Sequence, residues 1–295
     1  MRGQERKSIS RVRMRFFWMV SFATSLLLCG CGSGKENMAQ DGGETEIQVF
    51  IAASMQKAME EVTTAYNMEH PEVKVTLHAD SSGTLMTQIE EGYACDVFFS
   101  AAQEQMDRLE SEDRLVVEGT REDVVSNQLC VITSRGSGTK VSGLGNIGDA
   151  GSIALADATV PAGKYTRVAM GNAGILKGNE DVAKLSTEEV SKQLGGVEIS
   201  EQSNVSKVVA AVAEQSCEVG TVYVSDVYGY EDKVEILEKI SPRLTGDIIY
   251  PIAQIKNEEA GDAEKAAALD FIDFVTSQKA QEIFSKYGFF APAGD

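Results

Sequence analysis

This 295-residue chain contains only two histidines, five cysteines and one tryptophan. Two histidines, His70 and His78, are too few for a histidine-rich metal site, and no Cys-x-x-Cys pair provides a metal or redox motif. Cys95, Cys130 and Cys217 lie far apart in apolar surroundings, so we expect small buried side chains, with one disulfide as the alternative. We therefore expect no metal-cation ligands.

Basic residues are also in short supply, with 27 Lys and Arg against 45 Asp and Glu, a net charge of −18. Six of the basic residues, and only one acidic residue, fall within positions 1–30. Removal of that segment would leave 21 basic and 44 acidic residues, a net of −23. Binding to nucleic acid needs a basic patch, so nucleic acid is excluded as a partner.

The start of the chain has the pattern of a targeting segment. Its basic residues precede FFWMVSFATSLLL, which is too short to span a membrane comfortably but suits the core of a signal peptide. The following Leu28-Cys29-Gly30-Cys31 resembles a bacterial lipobox, with Cys31 as the lipidated residue. We predict a lipoprotein signal peptide at 1–30 and a flexible polar tether at 31–44. A plain secretory signal is the alternative, and both place the protein outside the cytoplasm, the first with a lipid anchor in the cell membrane.

Strand-like and helical periodicities alternate along the rest of the chain. Three strand–helix units, from IQVFIA to QEQMDRLESE, predict a parallel sheet covered by helices. The extended run VVSNQLCVITS leads to a second alternation, and a second extended run, DIIYPIAQIK, leads back to a long closing helix that ends at Gly288. The pattern predicts an α/β fold with parallel-rich sheets and two crossover strands between lobes. Lobe 1 is expected at 45–124 plus 250–295, and lobe 2 at 125–249, with a cleft between them.

Small and hydroxyl-bearing residues follow two strands of the first lobe. The stretch EIQVFIAASM ends a strand on Ala-Ala-Ser, so Ser54 lies where a helix begins, and Ser81-Ser82-Gly83-Thr84 repeats the arrangement. The first N–H groups of a helix have no partner within it and attract anions. In open α/β sheets ligands bind at the carboxyl ends of the strands. These turns therefore predict a small anion site.

The second lobe has matching turns. DATVPAGK, at 157–164, and SNVS, at 203–206, both precede helical segments, and Tyr223 lies in a short strand where its hydroxyl can reach a ligand. Lys164 could contact an anion, but we expect a solvated surface lysine.

These motifs in order, with IEEGYACDVFFSA and a terminal YGF, resemble the molybdate-binding lipoproteins and periplasmic receptors of ABC importers. The resemblance covers residues 46–293 and implies a two-lobed periplasmic-binding-protein-like fold of type II. It implies a monomer without cofactor that binds molybdate or tungstate and delivers it to a membrane permease. The implied contacts are the hydroxyls of Ser54, Ser82 and Tyr223 and the backbone N–H groups of Ala162 and Val205. The chain departs from the family at Gly83, where serine is frequent.

Two other functions stay open from the residues. A receptor for sulfate or phosphate is one, and the protonated phosphate would need a carboxylate acceptor, for which Asp80 and Asp157 are the candidates. An enzyme with Ser54 or Ser82 as nucleophile is the other. Neither histidine lies in a sequence context that activates serine, so we expect no catalysis.

Overall fold

The computed structural model describes residues 44–178 and 181–292. The predicted signal peptide, Cys31 and nearly all of the predicted tether lie outside this part of the chain. The ten strands are β1 Thr45–Ala52, β2 Val73–Asp80, β3 Val97–Phe99, β4 Glu122–Asn127, β5 Leu129–Ser134, β6 Ser152–Ala156, β7 Glu198–Gln202, β8 Val219–Tyr223, β9 Val234–Lys239 and β10 Ile248–Gln254. The α-helices are α1 Gln56–Glu69, α2 Ser82–Glu90, α3 Gln103–Asp107, α4 Pro161–Asn172, α5 Thr187–Gln193, α6 Val205–Ala213, α7 Pro242–Thr245, α8 Asp262–Thr276 and α9 Gln278–Lys286.

The strands form two five-stranded sheets with matching arrangements. The order is β2-β1-β3-β10-β4 in the first sheet and β7-β6-β8-β5-β9 in the second. In each sheet the three strands followed by helices or turns pair in parallel, while the remaining pairings are antiparallel. The predicted α/β architecture with two sheets is therefore present, although each sheet is mixed rather than parallel throughout.

The chain passes between the sheets twice. β4 ends in the first sheet at Asn127, and β5 begins in the second at Leu129, so the extended run VVSNQLCVITS is divided at Gln128. The return passage leads from β9 to β10, which lies between β3 and β4 in the first sheet. A single cluster of buried apolar side chains includes residues of both sheets, such as Val49 and Ile132. These two passages place the carboxyl ends of β1 and β2 opposite those of β6 and β7.

Two local features differ from the sequence analysis. The closing segment is two helices rather than one, because α8 ends at Thr276 and the Ser277 side chain caps α9 by accepting the Ala280 N–H at 3.3 Å. β9, which the sequence analysis did not identify, forms the edge of the second sheet. The burial of its residues does not alternate along the strand, since Val234 is buried, the next four residues are half-buried and Lys239 is exposed.

Cys95, Cys130 and Cys217 are buried free thiols, as expected in preference to a disulfide. Within the described residues no helix has the length and apolar character needed to cross a membrane. In the same part of the chain no three His, Cys, Asp or Glu side chains are grouped so that they could hold a metal ion.

Candidate ligand-binding site

A small cavity lies where turns of the two sheets meet. Its volume, measured for the centres of water-sized spheres, is about 10 Å³, far below the ~300–1,000 Å³ of pockets that take drug-sized molecules. Its lining consists of small, apolar and hydroxyl-bearing residues: Ala52, Ala53, Ser54, Ser81, Ser82, Ala101, Val160, Pro161, Ala162, Val205 and Tyr223. All five predicted contact residues are among them. Every lining residue except the half-buried Ser54 is buried.

Ser54 lies in the 3-10 turn Ala53–Met55 that connects β1 to α1. Its Oγ is 3.1 Å from the hydroxyl oxygen of Tyr250, a residue of β10 that does not line the cavity. Ala52 and Ala53, directly before it, are buried small residues that leave room for a ligand at the backbone. This explains why β1 passes into the turn through Ala52, Ala53 and Ser54.

In the second serine turn, the side chains of Ser81 and Ser82 have different roles. Ser81 is the N-cap of α2 and accepts the Thr84 N–H at 3.1 Å. Ser82 is the first residue of the helix, is 1% exposed, and its Oγ accepts the Ala101 N–H at 2.9 Å. Ser82 therefore does not cap the helix, and its own hydroxyl hydrogen is available to a group in the cavity.

The second sheet contributes two helix N-termini. Pro161 opens α4 and has no N–H, so Ala162 provides the first free N–H of that helix. Gly163 follows where a β-carbon would lie 2.1 Å from the carbonyl oxygen of Asp157, so the turn requires glycine. Val205 opens α6 after Asn204, whose side chain accepts the Lys207 N–H at 3.1 Å. The N–H groups of Ala162 and Val205 belong to first turns whose amides point away from the helix body.

Tyr223 completes the lining at the end of β8. It is 1% exposed, and its hydroxyl is buried without a hydrogen-bond partner in the described part of the chain. Such a group costs free energy unless a ligand pairs with it. Burial, reinforced by the neighbouring Tyr250, raises the pKa of the Tyr223 hydroxyl well above its usual value. The hydroxyl therefore keeps its proton and is available as a hydrogen-bond donor.

No charged side chain lines the cavity, but one buried cation lies behind it. Arg167 of α4 is fully buried and donates to the carbonyl oxygens of Ala156 and Gly163, at 2.9 Å each, and of Leu185 at 2.7 Å. Burial lowers the pKa of the guanidinium, while Asp157 raises it. Arginine stays charged in proteins, so a positive charge stands behind the turn that presents Ala162.

The candidate carboxylate acceptors lie outside the lining. Asp80 Oδ1 accepts the Ser81 N–H at 2.7 Å and the Asn204 amide at 3.1 Å. Asp157 Oδ1 accepts the Thr159 N–H at 2.8 Å and the Thr159 hydroxyl at 2.6 Å. Both side chains stabilise turns next to the cavity, and the cavity offers no carboxylate to a protonated anion.

Several contacts hold the two sets of turns together. The Asn204 amide donates to Asp80, and the Ser206 hydroxyl donates to the Ala53 carbonyl at 3.3 Å. Lys164, expected to be a surface lysine and not an anion contact, is partly exposed, lies outside the cavity lining, and pairs with Glu104 on the opposite side of the crevice. The two halves of the site are thus in contact.

Sequence reasoning identified the lining but missed the residues behind it. Tyr250 contacts Ser54 from 196 residues away in sequence, and Asn127 contacts Tyr250 and Ser225 from 123 and 98 residues away. Arg167 contacts the carbonyl oxygens of Ala156 and Gly163. Only the position of Tyr250 in the second crossover segment could have pointed to one of them.

The fold and this interlobe cavity define a two-lobed binding protein. The chain belongs to the family of bacterial extracellular solute-binding proteins, whose family model matches residues 47–290. The predicted family resemblance and two-lobed fold are therefore confirmed.

Among curated relatives, ModA of Escherichia coli (strain K12), a molybdate-binding protein, is 28% identical over 83% of this chain and 89% of its own length. YvgL of Bacillus subtilis (strain 168), described as an ABC transporter substrate-binding lipoprotein, is 26% identical over 93% of this chain and 97% of its own.

Two solved structures are also similar. The substrate binding domain assigned to a molybdenum ABC transporter from Clostridium difficile superposes with a TM-score of 0.60 at 30% identity, covering 84% of this chain and 99% of that one. The periplasmic molybdate-binding protein of Azotobacter vinelandii superposes with a TM-score of 0.67 at 20% identity, covering 84% and 100%. The second likeness establishes the fold alone.

Proposed function

We propose that the protein captures molybdate, and also tungstate, in the interlobe cavity and delivers the ion to the permease of an ABC importer. One observation carries the proposal: the cavity's side-chain polar groups are neutral hydroxyls drawn from both sheets, including the unpaired hydroxyl of Tyr223. A tetrahedral dianion offers only acceptors, so it matches a lining of O–H and N–H donors. Ser54, Ser82, Ala162, Val205 and Tyr223 are the proposed contacts.

Neutral donors suffice for a dianion in a buried site. Hydrogen bonds to a charged acceptor are stronger where water is excluded, because the local dielectric constant is low. Arg167, behind the α4 turn, adds a favourable charge without contacting the ion. This offsets the unfavourable long-range field of a strongly acidic chain.

Relatives give independent support to the ligand class. ModA of Escherichia coli is a molybdate-binding protein, and the 30% identical Clostridium difficile domain belongs to a transporter assigned to molybdenum. A phosphate receptor is less well supported, because Asp80 and Asp157 accept hydrogen bonds from turns next to the cavity and do not line it. Sulfate remains a competitor that the experiment below separates.

The remaining assignments follow from the same role. A signal peptide at 1–30 and lipidation of Cys31 would anchor the protein outside the cytoplasm, and the lipoprotein YvgL supports this. The protein would act as a monomer without cofactor. Its two lobes, which comprise residues 45–124 plus 250–295 and residues 125–249, would close on the ion. Ligand contacts in both lobes are what a hinge motion driven by binding requires.

We propose no catalytic role. His70 is held beside Asp270 at 3.2 Å, and His78 beside the Gln48 amide at 2.8 Å, so neither is placed as a base for Ser54 or Ser82. Membership of a solute-binding family supports the same conclusion.

Thermal unfolding with separate oxyanions tests the proposal. A chain that starts at residue 32 contains the whole compact unit Gly43–Asp295 and, lacking tryptophan, is best followed by calorimetry. Molybdate or tungstate at about 1,000 times its Kd should stabilise the fold by about 4 kcal/mol, while sulfate and phosphate should not. Stabilisation by sulfate or phosphate alone would overturn the ligand assignment, and no response to any of the four would overturn the site.

A further inference from the structure

Tyr250 lies directly behind Ser54, outside the cavity lining. It is 0% exposed, and its hydroxyl oxygen is 3.1 Å from Ser54 Oγ and 3.2 Å from Asn127 Nδ2. Asn127 ends β4 and Tyr250 lies in β10, so both belong to the strands next to the two passages between the sheets.

The amide of Asn127 fixes the direction of this hydrogen-bond chain. Its Oδ1 accepts the Gln128 N–H at 2.9 Å, so its Nδ2 must face Tyr250 and Ser225, to which it donates at 3.2 and 2.8 Å. The Tyr250 oxygen is therefore an acceptor from Asn127. Either hydroxyl could donate in the Ser54–Tyr250 pair, and donation by Tyr250 is the direction that gives its buried hydrogen a partner. Burial raises the pKa of Tyr250 well above its usual value, so this hydrogen stays in place.

Ser54 Oγ then accepts a hydrogen bond from Tyr250, outside the cavity, and can donate its own hydrogen into the cavity. A serine hydroxyl has one hydrogen, and with a lone pair occupied by Tyr250 that hydrogen is free for the cavity. Ser82 shows the same arrangement with a backbone donor, because its Oγ accepts the Ala101 N–H at 2.9 Å. Both serines are thus presented to a ligand as donors.

We propose that Tyr250 is a positioning residue that holds the Ser54 hydroxyl as a donor and thereby makes the cavity discriminate against oxyanions that carry a proton. The inference rests on the proposed function. A protonated phosphate must donate its own hydrogen, and a lining of oriented donors leaves that hydrogen unpaired. Without Tyr250, the Ser54 hydroxyl is free to rotate, so it can turn a lone pair instead of its hydrogen toward the ligand and accept that proton.

Tyr250→Phe tests the inference, with Tyr66→Phe as the matched control. Tyr66 is also fully buried, but its hydroxyl donates to Asp270 at 2.9 Å and lies outside the cavity lining. Titration calorimetry would measure molybdate affinity, and competition at pH 6 to 8 would measure phosphate. For Tyr250→Phe we expect molybdate affinity to fall about tenfold, and the ratio of molybdate to phosphate affinity to fall further. Tyr66→Phe should leave both unchanged.

Asn127→Ala provides a second variant. Tyr250 remains in it, but the amide that donates to the Tyr250 oxygen and so directs the Tyr250 hydroxyl hydrogen toward Ser54 is gone. This variant should also lower the ratio of molybdate to phosphate affinity. If wild-type protein binds no oxyanion, the proposed function itself fails. If wild-type protein binds molybdate and both variants keep its ratio of affinities, the role of Tyr250 is overturned, even if their molybdate affinity or thermal stability falls.

Discussion

A β-carbon added to Gly83 would lie 2.5 Å from the carbonyl oxygen of Thr159. Gly83 is the second residue of α2 on the first sheet, and Thr159 precedes α4 on the second, so the backbones of the two sets of turns come into close contact here. Real β-carbons essentially never come so near to a backbone atom. Glycine at this position thus lets the two halves meet.

Gly83→Ala and Gly83→Ser should therefore weaken molybdate binding, even though serine adds a hydroxyl donor. Relieving the overlap requires the turns to separate, which should lower affinity about ten- to hundredfold in calorimetric titration. Gly145→Ala is the control, because a β-carbon there meets no atom within 4 Å. Wild-type affinity in Gly83→Ser would contradict this account of closure.

Tyr223→Phe should separate stability from binding. Loss of a buried hydroxyl that has no partner among residues 44–178 and 181–292 should leave the free energy of unfolding of the ligand-free protein unchanged or higher. Loss of a donor to a charged ligand should lower molybdate affinity about ten- to hundredfold. Urea unfolding and titration calorimetry measure the two quantities. Tyr66→Phe, which loses a hydrogen bond to Asp270, should instead lower stability and leave molybdate affinity unchanged. A stability loss without an affinity loss in Tyr223→Phe would refute the assignment.

Asp226 should make stability depend on pH. Its carboxylate accepts the Tyr223 N–H at 2.9 Å, and burial raises its pKa to about 7, opposed by that bond and by Lys57. Between the unfolded pKa near 4 and about 7 the folded protein binds the proton more strongly, so this contribution to stability is present in acid and is lost as the pH rises. Asp226→Asn removes the titration and can retain an acceptor for the Tyr223 N–H.

The stability of Asp226→Asn relative to wild type should accordingly increase from pH 5 to pH 8, by up to a few kcal/mol. Urea unfolding at the two pH values measures the change. A constant difference between the two proteins would show that Asp226 does not titrate in this range.

Arg167→Met should destabilise the fold strongly. The substitution leaves the carbonyl oxygens of Ala156, Gly163 and Leu185 without their buried donor. Breaking a buried network around a charge typically costs about 3–5 kcal/mol, and urea unfolding should show a loss of that order. Arg243→Met, at an exposed position, should change stability by less than about 0.5 kcal/mol. Similar losses in both variants would contradict the role of Arg167.

The sequence predicted those parts of the fold that depend on local pattern. Strand β1, helix α1 and the turn at Ser54 follow from periodicity and small residues, and the second sheet repeats the pattern. The break at Ser277 was missed because a serine cap fits within an otherwise continuous helical pattern. The residue at which the chain changes sheets, Gln128, was also not predicted. β4 and β5 are both extended, and which sheet each strand joins depends on tertiary contacts.

In the site, too, local pattern predicted some features and tertiary contacts determine the others. Ser54 and Ser82 occupy positions marked by their own neighbours, but the donors behind them, Tyr250 and the Ala101 N–H, are 196 and 19 residues away in sequence. Such pairings depend on how strands are ordered in a sheet. Which hydroxyl hydrogens face the cavity could therefore be argued only from the assembled structure.

The burial of the cavity lining has a kinetic consequence. An ion enclosed by Ser82, Ala162 and Tyr223, each no more than 1% exposed, cannot diffuse away until the two halves separate. Its residence time is then governed by how often the contacts of Asn204 with Asp80 and of Ser206 with Ala53 break. A membrane partner that draws these turns apart would determine when the cargo is released, and it could do so without touching the ion.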